Sequence, residues 1–70
     1  MDARAFVESL YLEYYTPLRQ YALRLIGDPG LAEDLVDDAF LLALTRTEQL
    51  RTYRNPAGWL FRTVQLLARN

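Results

Sequence analysis

Three prolines, each directly after a residue able to cap a helix, punctuate this chain: Thr16-Pro17, Asp28-Pro29 and Asn55-Pro56. A side-chain oxygen at the cap accepts a backbone N–H that the helix leaves without a partner. Proline at the next position gives up only an N–H of that kind. The residue before a proline also resists helical dihedrals, so each pair marks a helix start. Asp2 can cap a first helix in the same way, and Gly27 stands where a left-handed C-terminal residue belongs. The punctuation predicts helices over about 2–15, 17–26, 29–46 and 56–70. The first boundary, at Tyr14-Tyr15-Thr16-Pro17, reads as a kink as readily as a break.

Apolar periodicity agrees with four helices. Phe6, Val7, Leu10, Tyr11 and Tyr14 form one stripe, and Leu18, Tyr21, Ala22, Leu25 and Ile26 a second. Ala32, Leu35, Val36, Ala39, Leu42 and Ala43 line the third, while Leu60, Phe61, Val64, Leu67 and Ala68 suffice for the fourth. No segment alternates with period two long enough to make a strand. Short connections favour antiparallel neighbours, so the expected fold is all-α, a compact four-helix bundle occupying residues 1–70 as one domain. Only Thr47 to Asn55 is long for a helix–helix link, and long loops in small domains are often functional.

Composition removes several function classes. The chain has no cysteine and no histidine, which excludes disulfides and thiolate metal sites and argues against zinc and imidazole chemistry. No metal or other cofactor is expected. Asp37 and Asp38 lack the nucleophile, metal ligand or pocket that an acid–base pair would act on, so no catalysis is expected either. No apolar run approaches the roughly 20 residues of a membrane span. Asp2 and Glu8 are unlike a secretory signal, and Glu8 and Glu13 give the first helix no basic, membrane-binding face. A soluble cytoplasmic domain is the expectation.

The net charge of −1 hides two opposite halves. The first 45 residues hold eight acids against three arginines, net −5; the last 25 hold five arginines against Glu48, net +4. Such asymmetry points to two different partners, one of them nucleic acid. On the third helix Asp34, Asp37, Asp38 and Leu41 fall at i, i+3, i+4 and i+7, on one face opposite the core stripe. Like charges at those spacings cost the helix several tenths of a kcal/mol each. An all-acid face with leucine in it suits a basic partner with an apolar centre. The competing reading is a solvated helix N-terminus, which accounts for Glu33 and Asp34 but not for Asp37 and Asp38, deeper than the first turn.

At the other end, Arg51, Tyr53 and Arg54 precede the fourth helix, whose Trp59, Arg62, Thr63, Leu66 and Asn70 point away from its core face, with Arg69 on the flank. Arginine interleaved with aromatics is what unpaired bases stack on. Trp59 has a second reading, as a lid on the core edge with its N–H in solvent. All eight basic residues are arginine, which reflects either a GC-rich genome or a need for planar cations.

The run Gly27-Asp28-Pro29-Gly30-Leu31-Ala32-Glu33-Asp34-Leu35-Val36-Asp37-Asp38-Ala39-Phe40 resembles the second and third helices of region 2 in bacterial extracytoplasmic-function sigma factors. Asn55-Pro56-Ala57-Gly58-Trp59-Leu60-Phe61-Arg62 is similar to the start of that region's last helix, and Tyr14-Tyr15-Thr16-Pro17-Leu18 with Tyr21-Ala22 fits its opening. The resemblance implies that the acidic helix docks on the clamp helices of the RNA polymerase β′ subunit, through Asp34, Asp37, Asp38, Leu41 and Leu44. It also implies that the last loop and helix take a flipped base of the single-stranded, non-template −10 promoter element. Those residues are Arg51, Tyr53, Arg54 and Asn55 of the Thr47–Asn55 loop, then Trp59, Arg62, Thr63, Leu66, Arg69 and Asn70.

Departures from the family pattern bear on this. Asp37 and Asp38 stand where glutamine and glutamate are common, and Leu42 where basic or polar residues are. Leu66 replaces a common asparagine and Gln65 a frequent basic residue, which bears on promoter contact. Region 4, the reader of the −35 element, is not among these residues, so the expectation is an excised domain or a natural fragment. The resulting reading is a binding module for polymerase and melted promoter. Its rivals are a sigma mimic that binds an anti-sigma factor without DNA, and a helical module that self-associates through Leu41, Leu42 and Leu66.

Overall fold

The computed structural model describes residues 2–69; Asn70, among the expected DNA contacts, lies outside the described residues. Four helices follow one another: α1 (Ala3–Ile26), α2 (Pro29–Thr45), α3 (Thr47–Leu50) and α4 (Pro56–Ala68). There is no strand among the described residues, so the all-α, four-helix expectation holds. The make-up of the four differs from that expectation at two places.

Three of the four expected caps form. Asp2 accepts the Ala5 N–H at 2.8 Å, Asp28 that of Leu31 at 3.1 Å and Asn55 that of Gly58 at 3.0 Å. Gly27 closes α1 in the left-handed region, φ 73°, and donates its N–H to the Leu23 carbonyl. Thr16 is the exception. Helices 2–15 and 17–26 are one continuous α1, with Pro17 inside it. Proline in a helix interior costs about 3 kcal/mol through the lost bond and the clash with the carbonyl four residues back. Two features offset that cost here. Pro17 and Glu13 are both exposed, so the freed carbonyl meets water. Val7 and Leu10 before the proline, and Leu18 and Ala22 after it, are buried in the same core, so a break would strip apolar surface from both halves.

The second correction is α3, one turn inside the segment expected to be loop. Thr47 is buried and donates its hydroxyl to the carbonyls of Ala43 and Leu44, both at 3.1 Å. Leu50, one turn later, is fully buried. These two side chains anchor the near end of the connection to the core and leave Arg51 to Asn55 outside, all exposed.

At 24 residues and about 1.5 Å per residue, α1 spans the 35 Å long axis of the molecule. Each of α1, α2 and α4 packs on the other two, and α3 rests on α1 and α2. The three alanines of α2, Ala32, Ala39 and Ala43, and Val36 between them have none of their surface open, and the small side chains bring its backbone near its neighbours. Leu18, Leu60 and Val64 meet that seam from α1 and α4. Phe40, outside the expected stripe, is buried beside it. Arg19 of α1 reaches Glu33 of α2 at 3.5 Å, tying the two helices at the surface.

Candidate protein and nucleic-acid interfaces

The fold turns the outer side of α2 to solvent. Asp34, Asp37 and Asp38 are exposed, and none has an ion-pair partner within 4.0 Å among the described residues. Leu41 is 61% and Leu44 49% exposed, far too open for residues that stabilise this fold by burial. All five expected α2 contacts are therefore together on one accessible face. Glu33 differs, since its carboxylate is engaged by Arg19.

Beside that face, α1 and α2 enclose a groove of about 380 Å³, lined by Val7, Tyr11, Phe40, Leu41 and Leu44, with Arg4, Glu8 and Asp37 at the rim. The Tyr11 ring meets Phe40 edge-on, centroids 5.0 Å apart, and lies against Tyr15 at the same spacing. Tyr11 was expected in the core stripe; it is 41% exposed and forms a wall of the groove. Burial against α2, then the negative charges of Asp37 and Glu33, push the Tyr15 hydroxyl above the ordinary phenol range, so it stays protonated at neutral pH. The outer face of α2 is thus acidic with an apolar trough along one edge.

The other end is built by the loop and α4. Arg51, Tyr53, Arg54 and Asn55 are exposed in the loop, and Arg62, Leu66 and Arg69 on the helix. At 100° per residue, Trp59, Arg62, Leu66 and Arg69 fall within one 80° sector of α4, away from Leu60 and Val64. Arg51 lies 3.4 Å from Glu48, an exposed contact of small worth. Trp59 is half-buried and packs against the core.

Thr63 is placed differently from the rest of this set. It is 9% exposed and donates its hydroxyl to the Trp59 carbonyl at 2.8 Å. It braces the first turns of α4 and presents little open surface of its own.

The family comparison matches this architecture. The sigma-70 region 2 family covers residues 10–70 of the chain, which includes α2, the loop, α4 and most of α1. The chain belongs to the sigma-70 region 2 family. This region 2 domain is 41% identical over 58 residues to the ECF RNA polymerase sigma factor SigL of Mycobacterium tuberculosis, in strains Erdman, CDC 1551 and H37Rv. That stretch is 81% of this chain and 33% of the relative, so the domain spans about a third of the length of the curated proteins it matches. No solved structure matches. The family expected from the sequence, a region 2 domain of the extracytoplasmic-function type, is borne out.

Sequence reasoning missed Tyr11, Phe40 and Val7 as parts of an accessible groove, and Thr47 and Leu50 as loop anchors. Phe40 carried a signal, four residues after Val36 and adjacent to the core stripe. Nothing local in the sequence announces the groove, because its two walls come from helices about 30 residues apart.

Proposed function

We propose that this region 2 domain is a bridge between RNA polymerase and melted promoter DNA. The outer face of α2 and the adjoining groove bind the β′ clamp helices. The loop and the Trp59–Arg69 side of α4 hold an unpaired base and the neighbouring phosphates of the non-template −10 strand. The observation that carries this reading is the segregation of exposed charge: three aspartates without an ion-pair partner among the described residues and two open leucines on α2, against Arg51, Arg54, Arg62 and Arg69 on the loop and α4.

Each surface fits its partner physically. Arginine-bearing helices would set cations against Asp34, Asp37 and Asp38 while apolar side chains cover Leu41, Leu44 and the groove. Charge gives register and a fast approach; the desolvated apolar centre gives most of the affinity. At the other surface, flipping a base out of its stack costs a few kcal/mol. Stacking on an aromatic ring returns roughly 1–3 kcal/mol per base, and arginine–phosphate contacts add a salt-dependent share. Trp59 and Tyr53 supply the open ring surface, and Leu66 adds apolar area between Arg62 and Arg69. The expected role of Thr63 becomes support of Trp59 through its backbone, given the hydroxyl's bond there.

The test is a pair of titrations on the 70-residue chain: a β′ clamp-helix fragment, and single-stranded −10 DNA followed by Trp59 fluorescence. Both bind on this reading, and a saturating amount of one leaves the other bound. Clamp binding without DNA binding would favour the mimic, and mutual displacement would contradict two separate surfaces.

A further inference from the structure

The three capped helices allow an internal comparison. Asp2, Asp28 and Asn55 make the same bond, from side-chain oxygen to the N–H three residues on. In α1 that third residue is Ala5 and in α2 it is Leu31, so a Cβ there is compatible with a cap. In α4 it is Gly58, and a Cβ on it would lie 2.8 Å from Asn55 Nδ2 and 3.2 Å from its Cγ, inside contact distance. The Asn55 amide leans over the first turn of α4. The backbone accounts for the difference: ψ is 171° at Asp2 and 116° at Asp28, but 77° at Asn55. The backbone at the α4 cap therefore turns differently from that at the caps of α1 and α2.

Glycine in a helix is otherwise a poor choice, because it loses more backbone freedom on folding than alanine does. Gly58 has negative φ, so no left-handed backbone requires it. Its Gly58 N–H is shared between the Asn55 carbonyl at 3.1 Å and Oδ1 at 3.0 Å, which fixes the amide with Nδ2 over the Gly58 Cα.

We propose that Asn55 and Gly58 are a matched positioning pair. The missing Cβ at Gly58 lets the Asn55 amide fold onto α4, and this sets the angle at which the loop bearing Arg51, Tyr53 and Arg54 meets the helix face bearing Trp59 and Arg62. The loop's other end is held by Thr47 and Leu50. Between these anchors, five exposed residues have few conformations left, so the nucleic-acid surface is pre-ordered before its ligand arrives. The functional half of this proposal rests on the DNA-binding reading above; the structural half does not.

The experiment is a two-by-two set in the whole chain: parent, Gly58→Ala, Asn55→Ser, and both together. Serine keeps a capping oxygen but has no second branch for the alanine Cβ to meet. Three readouts are taken: thermal midpoint, amide exchange at Thr52 and Tyr53, and affinity for single-stranded −10 DNA. Gly58→Ala should lower the midpoint beside Asn55 but raise it beside serine, by about 2–8 °C, as ordinary glycine-to-alanine replacement in a helix does. Beside Asn55 it should speed exchange at Thr52 and Tyr53 and weaken DNA binding about five- to tenfold, with clamp-helix binding unchanged; beside serine the same replacement should change neither, whatever Asn55→Ser alone does to DNA affinity. A midpoint that rises in both backgrounds overturns the pair. A sign reversal with constant DNA affinity overturns its positioning role. If no variant, parent included, binds DNA, the nucleic-acid reading fails instead, and the pair is judged on the midpoint reversal and the loop amides.

Discussion

Replacing Trp59 with alanine separates the place this side chain has in the fold from the stacking role proposed for it. A fully buried tryptophan cut to alanine costs about 3–5 kcal/mol. Trp59 is half-buried at the core edge, so about 2 kcal/mol is the expected loss of stability. At roughly 0.05–0.15 kcal/mol per residue, a chain of this length holds about 4–10 kcal/mol, and the variant stays folded. Its helical circular dichroism at 25 °C should match the parent, with a lower thermal midpoint. The open part of the ring is what a base would stack on, and losing it should weaken −10 single-stranded DNA by about 1–3 kcal/mol, roughly 5- to 150-fold in Kd. Anisotropy of a labelled oligonucleotide reads this without needing the tryptophan. In the parent, the same DNA should change Trp59 fluorescence more than a scrambled strand does. Binding to the clamp helices should be unaffected, since the acidic face belongs to α2. A folded variant with parental DNA affinity would refute the stacking role, and one that unfolds outright would assign Trp59 to the core alone.

Pro17→Ala should raise stability by about 1–2 kcal/mol: the helix regains a bond worth most of the 3 kcal/mol interior-proline penalty, less the gain in unfolded-state entropy, and an unchanged thermal midpoint would show that α1 carries no such penalty. Tyr15 has its pKa raised, so the folded state binds its proton more tightly than the unfolded chain; stability from this source is present below pH 10 and is lost as pH rises through the higher folded value. Tyr15→Phe should therefore flatten part of the alkaline decline in urea midpoint, whereas an identical decline in the variant would remove Tyr15 as its cause. DNA affinity should fall with salt at a log–log slope near −2, as expected for about three phosphate contacts on a single strand, and a flat response would mean that the arginines do not face phosphate.

How much of this was legible in the sequence depended on how local each cause is. Asp2, Asp28 and Asn55 were readable as caps because a cap is a bond between residues three apart. Thr16-Pro17 carries the same local signature and fails, because the shared burial of Leu10 and Leu18 outweighs a proline that lies on the solvent side. The tertiary term there exceeds the local one. The turn α3 has only four residues, too few for a periodic pattern to appear, and its evidence is the burial of Thr47 and Leu50, which exists only once α1 and α2 are in place.

The candidate surfaces divide in the same way. Asp34, Asp37, Asp38 and Leu41 could be placed on one face because helical spacing alone decides it, and the exposed charge agrees. Thr63 lies at the margin of the α4 core sector, where spacing does not separate an outward side chain from a buried one; the bond to Trp59 does. The groove between Tyr11 and Leu41 required the pairing of two helices, and no spacing within either one encodes it.

The central claim is that two surfaces on one small bundle serve two partners separately, and charge reversal on α2 tests it most directly. Asp37→Arg with Asp38→Arg should remove like-charge repulsion within the helix, retain the helical circular dichroism and abolish binding to the isolated β′ clamp helices. The same double variant should hold single-stranded −10 DNA at least as tightly as the parent, because the added charge is positive and the loop and α4 are untouched. Measured by isothermal titration with both ligands, loss of the first with retention of the second is the predicted result. Unchanged affinity for the clamp helices would remove the acidic face from the polymerase contact and contradict the account.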